Sequence, residues 1–397
     1  MSRCYFLSLF LLVANFTVVA EDLTKYIELI GSPYSHIYSK GEAIYARNTW
    51  DLQLFDGRLF IGAGNSSNRG PAQNSGPVPI IAYDLKTRMF IQEGQVNDEQ
   101  IDSFKVLGQS LFIPGHDATQ NWKWGNFYSR NQEGGWHKFR DIPGALHVYD
   151  MTLFQGNYYT ALGIRKYAAV GSLKPNESQW QVEKLSSHGR VYGFLPIGDH
   201  LFAVKLFKKT NKPSSSMEEL QEDGSFKSIG YTLFDMFPET SFKHKYIKMT
   251  RVLSTGSQAF YIGAYKHNDH QAKPFGLYSA DLVKNQLKVK RIALAEGLIP
   301  RDIIQSEGHF WLLANKQNAK GYINYILMTD ENNLSEWREY FSFEYKAFAR
   351  SFEKVQQDFY FGMGSDIASP KNWQQQELLV ETGDILKLSK PSIEKGK

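Results

Sequence analysis

A pattern of paired apolar strands recurs about every 50 residues through nearly the whole chain, and periods of this size indicate repeat architectures. Each copy has an apolar strand, a tight turn and a second apolar strand, followed by a loop and a hairpin that carries a large aromatic residue. The seven copies begin near Trp50, Ile101, Tyr149, Arg190, Arg251, Arg301 and Arg350. Four short strands per unit at this period predict an all-β fold, a seven-bladed β-propeller of four-stranded antiparallel blades.

The first 20 residues have the pattern of a secretory signal peptide. One charge, Arg3, precedes a short, mostly apolar run that ends in small residues at Ala20. An uncleaved anchor is the alternative, but the run is interrupted at Asn15 and is shorter than the roughly 20 apolar residues that span a bilayer. We therefore expect residues 1–20 to be removed, leaving a secreted or periplasmic protein with no membrane span. The single cysteine, Cys4, would leave with this segment, so no disulfide could stabilise the mature chain.

The remaining chain divides into a leader, the repeats and a tail. Residues 21–48 contain one strand-like stretch, Tyr26–Ile30, and we expect them to pack on the ring or to close its last blade. The repeats occupy 49–390 without a linker, which predicts one propeller and no second domain. We also expect a monomer. Residues 391–397 form a polar tail, which we expect to be frayed.

Charge and motifs exclude several classes of function. The chain has 45 Lys and Arg against 41 Asp and Glu, a net charge of +4, which does not favour nucleic acid as a partner. No nucleotide-binding loop or serine-nucleophile motif is present. His267, Asp269 and His270, with His116 or Asp117, could offer metal ligands. A solvated polar loop is the simpler interpretation, so we expect no cofactor and keep a divalent metal as the alternative.

Three recurring features resemble kelch-type and related secreted propellers. These are the Tyr83-Asp84 pair, an aromatic residue late in each unit and a glycine after the second strand. The resemblance covers most of the mature chain, but the paired glycines of kelch blades are absent. It therefore implies a fold and carries over no catalytic residues. It also implies that the starts of the inner strands and the loops after the second strands share one face of the ring.

Two columns of residues fall at that face. Aspartates recur at one position, and we expect them to accept hydrogen bonds from backbone N–H groups of the next blade; they are Asp51, Asp102, Asp150 and Asp302. At or beside the preceding position, the last four units carry Arg190, Arg251, Arg301 and Arg350. These arginines could pair with the aspartates or bind an anionic ligand, since the planar guanidinium suits both roles.

The loops after the second strands carry aromatic rings and cations, which suit recognition of an acidic glycan. The candidates are Trp122, Trp124, Arg69 and Lys166. A ring could stack on a sugar while the cations bind its acidic groups. The two tryptophans could equally pack between blades, and the sequence leaves that open.

These features predict an exported propeller that recognises an acidic polysaccharide and could cleave it by β-elimination. Some secreted propellers are polysaccharide lyases, a resemblance at the level of the fold. The arginines would neutralise a uronate carboxylate. The candidate bases and acids are His147, Tyr149, His188 and His116. Hydrolysis by paired aspartates is a weaker variant, and the alternative class is a non-enzymatic scaffold for an extracellular protein or ligand. Convergence of a histidine or tyrosine with two arginines in a cleft would favour the enzyme.

Overall fold

The computed structural model describes residues 21–39, 41–66, 74–175, 177–209, 212–240, 247–267, 271–330, 334, 336–366 and 379–389. They form a ring of seven four-stranded antiparallel blades, which confirms the predicted β-propeller. The described helical segments are two 3₁₀ turns, Thr24–Tyr26 and Gly41–Arg47. The proposed signal segment, Arg69 and the tail lie outside the described residues.

The strands of each blade run in order from the channel outwards. Two strands precede the first blade: β1 (Glu21–Asp22) and β2 (Ile27–Gly31). Blade 1 is β3 (Leu52–Phe55), β4 (Arg58–Ile61), β5 (Val78–Asp84) and β6 (Met89–Val96). A two-stranded sheet, β7 (Asp98–Gln100) with β10 (His116–Ala118), accompanies blade 2, which is β8 (Lys105–Leu107), β9 (Ser110–Pro114), β11 (Trp124–Arg130) and β12 (Trp136–Pro143). Blade 3 is β13 (Ala145–Phe154), β14 (Asn157–Ile164), β15 (Tyr167–Leu173) and β16 (Gln181–Ser187).

The remaining blades follow the same order. Blade 4 is β17 (Gly189–Ile197), β18 (His200–Lys209), β19 (Lys212–Leu220) and β20 (Phe226–Ser228). Blade 5 is β21 (Ile247–Ser254), β22 (Gln258–His267), β23 (Gln271–Val283) and β24 (Gln286–Ile292). Blade 6 is β25 (Ile299–Ser306), β26 (His309–Asn318), β27 (Gly321–Asp330) and β28 (Arg338–Tyr345). Blade 7 takes β29 (Phe348–Val355), β30 (Asp358–Gly364) and β31 (Ile385–Ser389) from the end of the described chain.

The fourth strand of blade 7 comes from the N-terminal side. Strand β2 pairs antiparallel with β31, with Ile27 opposite Leu388, and so closes the ring. Strand β1 pairs parallel with β28 of blade 6, with Glu21 opposite Phe341. The sequence did not settle how the ring closes; the leader holds blades 6 and 7 together and covers their outer strands.

The core lies between adjacent blades. Between blades 6 and 7, for example, Phe341 packs edge-on against Phe359 with ring centroids 5.0 Å apart, and both side chains are buried. Because apolar rings are removed from water at each such junction, burial can stabilise the ring without disulfides.

A β-bulge interrupts the inner strand of blades 3 to 7 near its start. At each bulge the inner strand contains one more residue than the paired stretch of the second strand. The bulged residues are Tyr149, Tyr192, Arg251, Arg301 and Arg350. In blade 4 the bulged residue is therefore Tyr192, and Arg190 lies beside the column. This device gathers the side chains of five blades at one mouth of the channel.

Candidate functional site

The aspartate column ties neighbouring blades together. Three of its members accept a hydrogen bond from a backbone N–H of the next blade, at 2.7 Å for Asp51 with Phe104, 3.0 Å for Asp150 with Phe194 and 3.2 Å for Asp302 with Phe352. This confirms the structural interpretation for those three. Asp102 differs, because its Oδ1 accepts from the Gln100 side chain at 2.7 Å.

Arg251 is a brace across the channel. Its Nη1 lies 2.5 Å from Asp51 Oδ1 in blade 1, and its Nε lies 3.4 Å from Asp302 Oδ1 in blade 6. It also donates to the Trp50 carbonyl. Its backbone φ of 50° lies in the left-handed region, a strained conformation for a non-glycine residue that surrounding contacts must hold. Of the two roles left open for this arginine, the geometry favours pairing.

Buried carboxyl groups surround that brace. Burial raises the pKa of Asp302 to about 7, although Arg251 opposes the shift. Burial likewise raises the pKa of Glu353 to about 8, with Asp302 and Asp51 adding to it. Glu353 Oε1 accepts from the Leu54 N–H at 3.1 Å, so this carboxyl also links blade 7 to blade 1.

Arg301 and Arg350 both bind a carboxylate from the loop after β30. Arg301 and Arg350 each donate to Asp366, at 3.3 and 3.2 Å. These arginines thus pair with a residue that the sequence analysis did not connect with them, rather than with the aspartate column.

A second group of side chains gathers at the mouth of blades 2 to 4. The His147 ring stacks on Tyr149 with centroids 5.1 Å apart, and His116 meets Tyr149 edge-on at 5.4 Å. Asp117 Oδ1 contacts His147 Nδ1, and Asp117 Oδ2 lies 3.9 Å from His116 Nε2. Two of the other three catalytic candidates, His147 and His116, therefore converge on Tyr149, with Asp117 between these histidines.

Arg190 completes this group. Its guanidinium lies near the Tyr149 phenol and donates to the Gly189 carbonyl at 2.8 Å, and its side chain crosses Gly163, where a Cβ would overlap the Arg190 Cδ. His147 faces the same glycine across the β13–β14 ladder. Burial raises the pKa of Tyr149 well above its ordinary value; Tyr192 and Asp117 add to the shift and Arg190 opposes it. The phenol therefore keeps its proton at neutral pH.

The group is strained and reaches solvent. Asp117 has a φ of 62°, in the left-handed region, which is a conformation that often accompanies function. The side chains of His116 and His147 are 19% and 15% exposed, so a ligand can touch them. His188 is exposed at the bend before β17, outside these contacts.

The two tryptophans lie in the same loop region as His116. Trp122 is 67% exposed and Trp124 is 43% exposed, which argues against packing between blades. Lys166 is exposed at the turn between β14 and β15. Arg69 lies outside the described residues.

Sequence reasoning missed Tyr192 and the part played by Asp117. The ring centroids of Tyr192 and Tyr149 are 4.6 Å apart, and Lys248 Nζ lies 4.6 Å from the centroid of the Tyr192 ring. A signal was available: Arg190-Val191-Tyr192 repeats the pattern of His147-Val148-Tyr149 one blade later.

The described residues show neither a metal-ligand cluster nor a membrane-spanning helix. No group of three or more His, Cys, Asp or Glu side chains there could hold a metal ion. Residues 268–270 of the candidate His267–His270 ligand loop lie outside the described residues. Within that same part of the chain, no helix is both long and apolar enough to cross a membrane.

No family model matches this chain, and neither does any curated protein sequence. Solved structures do resemble it. The extracellular domain of a putative one component system from B. thetaiotaomicron is 9% identical with a TM-score of 0.50, over 87% of this chain and 42% of that one. The β-propeller domain of Myceliophteria thermophila Cps50 (Swd1) is 10% identical with a TM-score of 0.49, over 86% and 97%. Kuenenia stuttgartiensis hydrazine synthase is 12% identical with a TM-score of 0.46, over 73% and 78%.

These likenesses extend to the propeller fold alone. The chain spans less than half the length of the first of these structures. The narrower kelch-type resemblance gains no support, since no family model matches.

Proposed function

We propose that the protein binds an acidic polysaccharide at the mouth of blades 2 to 4 and cleaves it there by β-elimination. The observation that carries the proposal is that His147 stacks on the partly buried Tyr149 ring and contacts Asp117, with Arg190 next to the same phenol. A base, an acid and a cation within one contact network are the groups that this reaction needs.

The elimination begins at the carboxylate of a uronate residue. Arg190 binds that carboxylate and withdraws charge from it, so the proton on the adjacent C5 becomes more acidic. In this step the Asp117 carboxylate, whose Oδ1 contacts His147 Nδ1, keeps the imidazole proton on Nδ1, and the Nε2 lone pair takes the C5 proton. Asp117 thus positions the base and fixes its tautomer.

The same step expels the neighbouring sugar. The electron pair of the C5–H bond forms the C4=C5 double bond, and the C4–O4 bond breaks. Tyr149 gives its proton to the departing O4; burial raises the pKa of the phenol, so the hydroxyl stays protonated until that oxygen leaves. Water then returns the proton from His147 to Tyr149, and no external oxidant or reductant is consumed.

The convergence of a histidine or tyrosine with two arginines, which would favour an enzyme, is present only in part. One arginine, Arg190, lies near the Tyr149 phenol, rather than two. The second cation near this site is Lys248, which lies over the Tyr192 ring. We infer that Arg190 and Lys248 together bind the uronate carboxylate, a role that the sequence analysis gave to arginines alone.

The pattern of residues 1–20 supports export, which places the protein where extracellular polysaccharide occurs. We therefore propose a secreted or periplasmic location for the mature chain, acting as a monomer without a cofactor.

Ultraviolet absorbance during incubation with a panel of uronate polysaccharides tests the proposal. We expect a rise from the unsaturated product, and its loss in His147→Gln and Tyr149→Phe. His200→Gln is the matched control, because His200 also contacts a carboxylate, Glu219, but at the hairpin on the opposite face. A flat trace across the whole panel with the native protein would contradict the elimination.

The second candidate is recognition without cleavage, which the exposed Trp122 and Trp124 favour. A flat trace together with measurable binding to one of the same polysaccharides would establish it. Binding to none of them would leave an extracellular protein as the partner to be sought by pull-down.

A further inference from the structure

The opposite side of the channel mouth holds two arginines that share one carboxylate. Arg301 Nη1 and Nη2 both donate to Asp366 Oδ2 at 3.3 Å, and Arg350 Nη2 donates to Asp366 Oδ1 at 3.2 Å. The three side chains together carry a charge of +1. Each carboxylate oxygen faces one guanidinium, an arrangement that suits a planar carboxylate.

The arginines are held in place independently of Asp366. The Arg301 guanidinium lies 3.8 Å from the centroid of the Phe348 ring, and that of Arg350 lies 4.6 Å from the Trp50 ring. Arg350 Nε also donates to Asn48 Oδ1 at 3.1 Å. This packing preorganises both cations for a carboxylate.

The exposure of the three side chains differs. The Arg301 side chain is 5% exposed, and its buried Nε has no hydrogen-bond partner among the described residues. The Asp366 side chain is 32% exposed. The carboxylate is thus the member of the group that faces solvent, and it can leave without rearranging the arginines.

The local electrostatics favour a further negative charge. Burial lowers the pKa of Arg301; Asp366 opposes this shift and the neighbouring Arg350 adds to it. Burial would raise the pKa of Asp366, but the two arginines hold it below its usual range. Two desolvated cations and one carboxylate leave one positive charge uncompensated within the group.

A similar group elsewhere in the ring shows the difference. Glu93 also bridges two arginines, Arg58 and Arg130. There Arg58 also pairs with Asp84, and Arg130 also pairs with Asp56. That group has three carboxylates for two arginines, so it has no surplus positive charge.

We propose that Arg301 and Arg350 form a subsite for a second uronate carboxylate of the polymer, and that Asp366 occupies this subsite as an internal ligand until the substrate displaces it. The inference rests on the proposed function and deepens it, since it requires a substrate with acidic groups on at least two sugars. Trp50, which is partly exposed, would then lie beside the sugar ring that carries the second carboxylate.

Asp366→Asn tests the inference, with glucuronate as the probe. The variant removes the competing charge and keeps the shape, so we expect glucuronate to bind at least about tenfold more tightly than to the native protein, measured by calorimetry. The variant should melt at a lower temperature, and glucuronate should restore the melt by mass action, more than sulfate or neutral glucose does.

Two further variants separate the possible causes. Glu93→Gln is the matched control, and glucuronate should not restore its melting temperature. Adding Arg190→Gln to Asp366→Asn should leave the gain in affinity intact, because the two sites lie on different blades. The gain is thereby distinguishable from any failure of the elimination reaction.

Equal glucuronate affinity in Asp366→Asn and the native protein would overturn the inference, as would equal recovery in Glu93→Gln. If Asp366→Asn does not fold even with glucuronate, the native protein and Arg350→Gln decide. Glucuronate should then raise the melting temperature of the native protein, and this rise should be lost in Arg350→Gln. No rise in the native protein, or an equal rise in both, would be evidence against the subsite.

Discussion

Both sides of the channel mouth use a β-bulge to present a side chain, but they differ in the groups that contact the cations there. In blades 3 and 4 the bulged residues are Tyr149 and Tyr192, and the cation beside them, Arg190, lies next to a neutral phenol. In blades 5 to 7 the bulged residues are arginines, and each binds a carboxylate of the protein. A β-bulge places a side chain at the mouth. Whether that side chain acts as a brace or as a ligand depends on the carboxylates that other blades bring to it.

The largest expected effect is on the free energy of unfolding. Replacing an arginine by glutamine on each side of the mouth distinguishes a structural arginine, Arg251, from a ligand-binding one, Arg190. Arg251→Gln leaves Asp51 and Asp302 buried without their cation, and we expect a loss of about 3–5 kcal/mol in the free energy of unfolding. Arg190→Gln should change that free energy by less than about 1 kcal/mol, because its partner Tyr149 is uncharged. Thermal and denaturant unfolding measure both, and equal losses would remove the distinction.

The next effect concerns catalysis at the blade 3 and 4 side. Arg190→Gln should lower kcat by about 10²–10³, the usual cost of removing one group that stabilises developing charge. Turnover on the polysaccharide identified by absorbance provides the measurement. An unchanged kcat with a higher KM would instead assign Arg190 to ground-state binding.

The carboxyl groups around Arg251 predict a pH dependence of stability. Burial raises the pKa of Glu353 to about 8, above its ordinary value near 4.5, so the folded state holds a proton that the unfolded chain releases. This contribution is complete below about pH 4.5 and is lost as the pH rises to about 8, at up to about 1.4 kcal/mol per pH unit. Unfolding free energies from pH 5 to 9 should show this decline.

Glu353→Gln is the variant that isolates this group. Its amide mimics the protonated carboxyl and can still accept from Leu54, so the decline with pH should become shallower. Part of the decline of the unfolding free energy with pH should remain, because burial also raises the pKa of Asp302 to about 7. A slope equal to that of the native protein would rule out Glu353 as its source.

The smallest expected effect concerns the exposed aromatic loop. Trp122→Ala should weaken polysaccharide binding by about 1 kcal/mol, the scale of a ring contact, and should leave the melt unchanged. Met89→Ala, which removes another exposed apolar side chain at a hairpin on the opposite face, is the control. A similar loss of binding in both variants would argue against stacking at Trp122.

The fold was predictable because its signal is local and repeated. Each hairpin glycine and each alternating strand carries the same information, so seven copies reinforce one another. The aspartate bonds were predictable for the same reason, since each joins a residue to the next repeat. The pairing of Arg251 with Asp51 was not, because these residues lie 200 positions apart and meet only across the closed ring.

The sequence identified most residues of the site, but it did not show which of them lie together. His147, Tyr149, His116 and Arg190 were all singled out, but nothing in one sequence tells which neighbours share a mouth. The bulge in β17 shifts the register by one residue, so Tyr192 takes the position that the alignment came close to giving to Arg190. The pairing of Asp366 with Arg301 and Arg350 could not be predicted, because its partners belong to the inner strands of blades 6 and 7.

The pairing of β2 with β31 has a consequence for how the chain reaches its folded state. The strand that completes blade 7 is synthesised before blade 1, whereas its partner comes after every other described strand. Six blades can assemble from contacts between successive segments, but the seventh needs two segments from opposite ends of the described chain. A nascent chain that still lacks β31 therefore has an open ring with unpaired strand edges, and the complete channel mouth exists only after β31 has been made.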